Sequence, residues 1–418
     1  MPCIILFCSF FSLSIYSSLL FAQSGSKSFL EKLLWEKGSP QLKNILQQPD
    51  TFRYQLIYTK IDRDKNNHPH FTHYFYRVDR NEYFNPASTV KMPLAFLALE
   101  KIRGLEKYGI NKFTPMFIDS AYSKQTTVLE DSTAANGLPS IAQYIKKIFL
   151  VSDNDAYNRL YEFIGQQSIN ERLWQMGFKD MRITRRFVAM SEEENRHTNP
   201  IRFVENGKLM YNQSPAYNPV PFDFSRKILI GKAHFNQKEE LIQSPMDFTS
   251  HNNAPLEDLQ QILQSVLFPE SVPAEKRFDL TQADYFFLYQ YMSEYPSESH
   301  NPKYDTAEYF DSYTKFFMFK AGRTPIPSSI RVFNKPGWSY GFLTDVAYIV
   351  DFKNKVEFML SGVIYVNSDG ILNDDKYEYD QVGYPFFEEV GNIIYNYELK
   401  RKRKHVPDLI KFRMSYDR

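Results

Sequence analysis

Ser88 and Lys91 stand three positions apart at the head of an apolar run, Met92 to Ile102. At a helix start that spacing puts both side chains on one face, so the lysine amine can reach the serine hydroxyl. A serine is a poor nucleophile until an adjacent base takes its proton. A lysine can do so where desolvation or a neighbouring cation brings its pKa towards neutrality. Free backbone N–H groups at the helix start would also favour developing negative charge. The spacing alone is common, since Ser24–Lys27 and Ser312–Lys315 share it. Only Ser88–Lys91 follows Asn85-Pro86-Ala87 and opens a long apolar segment. A plain helix-capping serine is the competing account.

Two further segments carry chemistry. Ser152-Asp153-Asn154 sits at a polar break between two helical patterns, and a capping turn would equally use these residue types. Lys335-Pro336-Gly337-Trp338 follows the β-branched and aromatic run Ile330–Phe333. A lysine on an exposed edge strand, beside a glycine that admits close backbone approach, suits an anionic substrate. A solvated lysine before a turn is the bland alternative.

The elements that must hold these segments are readable in outline. Phe29–Gln47 has helical periodicity broken at Gly38-Ser39-Pro40. Tyr54–Ile61 and Phe71–Val78 read as strands joined by a polar turn, and Ser140–Val151 and Ala156–Ile164 as helices flanking the Ser152 break. From Arg182 to about Ala254 no period is sustained, apart from a hairpin signal at Glu205-Asn206-Gly207. Leu256–Leu267 and Gln282–Met292 are helical again. Ser329–Phe333, Phe342–Val350 and Val356–Val366 are strand-like, and Tyr384–Leu399 reads as a helix. This order predicts an α/β (α+β) fold: both ends build one antiparallel sheet flanked by helices, and the centre forms a helical lobe. The site would lie in the cleft between them.

The chain has 418 residues, 43% hydrophobic and 24% charged, with a formal net charge of +1, so no strong field steers it to nucleic acid. Residues 1–22 are apolar or hydroxyl-bearing, without charge, and read as a secretory signal or an uncleaved anchor. Residues 23–418 then form the working domain, exported to a bacterial periplasm or cell surface. Cys3 and Cys8 both fall in the leading segment, so the mature chain has no disulfide and no thiol nucleophile.

Taken together, S-x-x-K, S-D-N and K-x-G in this order resemble the signature of class A β-lactamases and penicillin-binding proteins. Tyr340-Gly341-Phe342-Leu343-Thr344-Asp345 resembles the strand after that family's K-T-G. The resemblance implies a β-lactamase/transpeptidase-like fold, Ser88 as the acylated nucleophile, Lys91 as base and Ser152 as proton relay. It further implies that Asn154 holds Lys91 and the substrate amide, that Lys335 attracts a carboxylate, and that the N–H groups of Ser88 and Trp338 form an oxyanion hole beside Gly337. No cofactor or metal is implied. The expected partner is a small-molecule or peptidoglycan-derived substrate, and the expected state a monomer.

Two departures stand out. Pro336 replaces the hydroxyl residue of K-T-G, and Phe187 falls where class A enzymes carry the glutamate that activates the deacylating water. Glu192, Glu193 and Glu194 lack the required spacing. Asn154 and Lys335 are also unusually far apart, with the excess expected in an enlarged loop of about residues 186–254. Slow deacylation, as in a penicillin-binding protein, is one consequence; a non-catalytic peptidoglycan-binding module is another reading. His68, His70 and His73 resemble a metallo-β-lactamase zinc motif lacking its aspartate, against the plainer reading of a solvated turn.

Overall fold

The computed structural model describes residues 28–416, so the signal or anchor reading of residues 1–22 lies outside the described residues. Ser28 caps α1 (Phe29–Lys37), and Ser39, with Pro40 at the first helical position, caps α2 (Pro40–Gln47). The expected break at Gly38 therefore separates two helices. β1 (Gln55–Arg63) and β2 (Pro69–Tyr76) pair antiparallel with Leu56 opposite Tyr76. α3 (Lys91–Arg103), α4 (Ile141–Val151) and α5 (Asn154–Ile164) follow, then α6 (Leu256–Leu267) and α7 (Gln282–Ser293). β3 (Ile330–Ser339), β4 (Phe342–Asp351), β5 (Val356–Tyr365) and α8 (Tyr384–Lys400) complete the frame.

The five strands form one antiparallel sheet in the order β3-β4-β5-β1-β2. Chain ends therefore build the sheet and the centre builds helices, as the element order predicted. Helices cover both faces, and period two sorts the residues between them. On β4, Phe342, Val346, Tyr348 and Val350 face the core shared with α3–α7, while Leu343, Ala347 and Ile349 face the core shared with α1, α2 and α8. Among the described residues, no helix is long and apolar enough to cross a membrane.

Two expectations need correction. Strand β3 does not stop at Phe333 but runs through Lys335-Pro336-Gly337 to Ser339. Residues 186–254 are not one enlarged loop. They contain the short helix Glu192–Arg196 and several strands; Ile201–Glu205 and Lys208–Gln213 join Met116–Ile118 in a small sheet. Strands of two to six residues are too short to leave a periodic signal. The predicted hairpin is present, with Asn206 and Gly207 at φ 50° and 77° as a type I′ turn demands. In the basic run Lys400-Arg401-Lys402-Arg403-Lys404 at the end of α8, the lysines are exposed and the two arginines are partly buried. Arg401 donates to Glu398 at 2.7 Å and to Asp62 at 2.5 Å, and Arg403 also binds Glu398, tying the end of α8 to β1.

Candidate active site

Ser88 lies in a single 3₁₀ turn, Ala87–Val90, that runs directly into α3. With three residues per turn, positions i and i+3 eclipse, which stacks Lys91 in line with Ser88. The turn takes Pro86 as its N-cap and no side chain caps it. The capping account of Ser88 therefore does not hold; its hydroxyl makes no hydrogen bond among the described residues. Ala87 sits at φ 44°, with its N–H held by Asn85 Oδ1 at 2.8 Å. A left-handed alanine costs about 1–2 kcal/mol, the kind of backbone strain found at functional sites.

Ser152-Asp153-Asn154 makes the capping turn that its residue types suggested. Ser152, at φ 62°, closes α4, and Asp153 caps α5 by accepting the Ala156 N–H at 2.8 Å. That abrupt break turns Ser152 and Asn154 onto Lys91. The Lys91 amine, fully buried, donates to Ser152 O at 2.5 Å and Asn154 Oδ1 at 2.6 Å, and lies 3.4 Å from Ser152 Oγ. The Phe187 ring covers it, with its centroid 5.1 Å away. Burial brings the Lys91 pKa down from 10.5 to about 7, against the opposing pull of Asp153. A neutral amine has two N–H donors, which the two carbonyl oxygens occupy, and its lone pair remains free to take a proton.

Lys335 comes from the other side. Its amine donates to Ser152 Oγ at 2.8 Å and to Pro336 O at 2.7 Å. The expected exposed lysine is in fact fully buried. Burial, and then the charge of Lys91, pushes its pKa well below the usual range. Two amines touching one hydroxyl disfavour simultaneous protonation, so they titrate as a coupled pair.

Gly337 explains how strand and helix meet. A Cβ there would fall 2.6 Å from Ser88 N, 2.9 Å from Pro86 O and 2.9 Å from Thr89 N, all backbone atoms. Only glycine lets β3 lie so close to the 3₁₀ turn. Tyr340 and Gly341, at φ 52° and 81°, make a two-residue hairpin turn closed by Ser339 opposite Phe342. The closing pair of such a hairpin is hydrogen-bonded, and pairs alternate from there. Trp338 opposite Leu343 is therefore unbonded, and its N–H points to the open edge, the side of Ser88. Pro336 has the same phase, so its missing N–H deprives the sheet of nothing.

The resulting cleft, of about 390 Å³, brings Ser88, Ser152, Asn154 and Trp338 together, with Phe187, Tyr309 and Tyr313 as walls. Lys91, Lys335 and Gly337 lie directly beneath. Tyr309 and Tyr313 had been missed; they belong to a segment rich in Tyr and Phe, where nothing in the sequence separates a cleft aromatic from a core one. His68, His70 and His73 lie apart, in the turn before β2 and along it; His68 and His70 are 3.2 and 3.9 Å from Asp64, and His73 is 2.9 Å from Thr59 Oγ1. Among the described residues, no group of three His, Cys, Asp or Glu could hold a metal.

Residues 39–214 match a family model described as "Beta-lactamase enzyme family". No curated protein matches the chain. Among solved structures, a β-lactamase from Sphaerobacter thermophilus DSM 20745 is 13% identical with a TM-score of 0.44, over 85% of this chain and 94% of that one. A β-lactamase from Xanthomonas campestris pv. campestris str. ATCC 33913 is 14% identical with a TM-score of 0.45, over 88% and 95%. Likeness this distant says nothing of chemistry.

Proposed function

We propose that the chain, whose residues 39–214 match a β-lactamase family model, is a serine hydrolase working through an acyl intermediate on Ser88, with β-lactams or related amides and esters as substrates. The observation that carries this is the convergence of Lys91 and Lys335 on Ser152 Oγ, at 3.4 and 2.8 Å, with Gly337 pressed on the Ser88 backbone. Packing alone does not call for two buried amines around one hydroxyl.

In this reading, neutral Lys91 takes the Ser88 proton as Oγ bonds to the substrate carbonyl carbon. The N–H groups of Ser88 and Trp338 hold the oxyanion. As the carbon–nitrogen bond breaks, Lys91 passes the proton through Ser152 to the leaving nitrogen, while Lys335 steadies the Ser152 hydroxyl. Asn154 keeps Lys91 in place and faces the substrate amide. Water must then attack the ester, and here Phe187 matters. It presents a ring, not a carboxylate, to Lys91. That supports slow deacylation, the behaviour of a penicillin-binding enzyme, over rapid turnover. The uncharged apolar start of the chain supports export to a bacterial periplasm or cell surface.

Incubation with a fluorescent penicillin, followed by peptide mass spectrometry, tests the assignment. Label on the peptide containing Ser88, absent in Ser88→Ala, is the expected result. Label on another residue, or none with any β-lactam, thioester or ester donor, overturns it.

A further inference from the structure

A second cavity, of about 360 Å³, adjoins the cleft that holds Ser88. It shares Ala87, Phe187 and Ser339 with the cleft already described and adds Arg185, His251 and Tyr340. Arg185 is half-buried there, and its guanidinium donates to His251 Nε2 at 2.8 Å. Its chain neighbour Arg186, fully buried, is neutralised by Glu162 at 3.2 Å. Arg185 has no such counter-charge: among the described residues no carboxylate lies within ion-pair distance of it. Asp247 acts on His251 from a distance and is engaged with the Thr249 N–H at 2.8 Å. His251 does not compete for charge, because burial and then Arg185 hold its pKa down at about 3. The imidazole stays neutral and accepts the guanidinium's N–H, fixing its direction and leaving its charge uncompensated.

Placement decides what such a cation can bind. Ser152 lines the first cleft together with Tyr309 and Tyr313, and none of the three lines the second cavity, so the leaving nitrogen departs into the first cleft. The retained acyl half must then extend the opposite way, past Ala87 and Ser339. The geometry points to Arg185 as a substrate-binding residue for a carboxylate on the acyl half of the substrate. This rests on the acyl-enzyme reading above and names the substrate class more narrowly. A guanidinium pairs with a carboxylate through two parallel N–H···O bonds, stronger than neutral ones when partly desolvated.

The test compares matched donors that differ only in that carboxylate: benzylpenicillin with its α-carboxy analogue carbenicillin, and phenylacetyl with α-carboxyphenylacetyl thioesters. Second-order acylation of Ser88 is followed by intact-protein mass spectrometry. The carboxylate-bearing donor should react about tenfold faster or more, the range for a charge-assisted hydrogen bond. Arg185→Gln should abolish that preference, so that matched donors react at equal rates, and Arg185→Lys should restore part of it. The substitutions leave intact the backbone contacts of residue 185, to Asn252 Oδ1 and Tyr157 Oη. Ser88 adducts that form equally fast with both donors in the unaltered protein would overturn the subsite alone. No adduct with any donor would instead remove the acyl-enzyme reading and the subsite with it.

Discussion

Gly337→Ala is the sharpest perturbation, because its cost can be worked from distances. The new Cβ would sit 2.6 Å from Ser88 N, and ordinary contact begins at 3.4 Å, so strand and 3₁₀ turn must part by about 0.8 Å. All three obstructing atoms are backbone, so no side chain can rotate away. Overpacking of this kind costs about 1–3 kcal/mol, read as a Tm lowered by a few degrees. The larger effect is on chemistry. Ser88 N and Trp338 N belong to the two bodies being separated, and loss of one oxyanion donor costs about 10²–10³ in rate. Stopped-flow acylation with nitrocefin, beside thermal unfolding, measures both. An alanine variant that keeps its acylation rate within threefold, whatever its Tm, would refute the oxyanion assignment and the need for glycine there.

Acylation should rise with pH and level off above about pH 7, since Lys91 must be neutral to act and its pKa is about 7. A pH–rate profile whose acid limb lies near 10 would exclude it as base. Lys91→Met should cut acylation by about 10²–10⁴. The same variant isolates a stability effect: with the folded pKa depressed, the unfolded chain binds more protons between pH 7 and 10.5, so burying Lys91 costs stability at pH 7 and that cost is relieved as pH rises across the window. Urea titrations of both proteins at pH 7.5 and 9.5 should show the parent gaining more. Phe187→Glu sets a carboxylate beside Lys91 and should raise the acid limb by about one unit or more, visible in the same profile. Arg401→Ala, remote from the cleft, should destabilise by about 3 kcal/mol in urea without changing acylation, because it strips the buried Glu398 of one of its two arginines.

What the residues determine unaided is the set of candidate groups and the order of the frame. Ser88, Lys91, Ser152, Asn154 and Lys335 were legible because few sequences combine these types at these spacings. The long elements were legible because eight or more residues of period two or 3.6 leave a pattern that no single substitution hides. Tertiary structure alone decided three things. Pro336 can sit inside β3 because this strand is the sheet's edge and its phase asks nothing of that N–H. Lys335, expected in solvent, is buried because Ser152 and Pro336 O receive its amine. Arg185 and His251, 66 positions apart, become a cationic wall only when the chain between them folds back on itself. Local pattern reports what a segment can pair with nearby; burial, charge partners and strand order depend on residues that sequence distance keeps out of view.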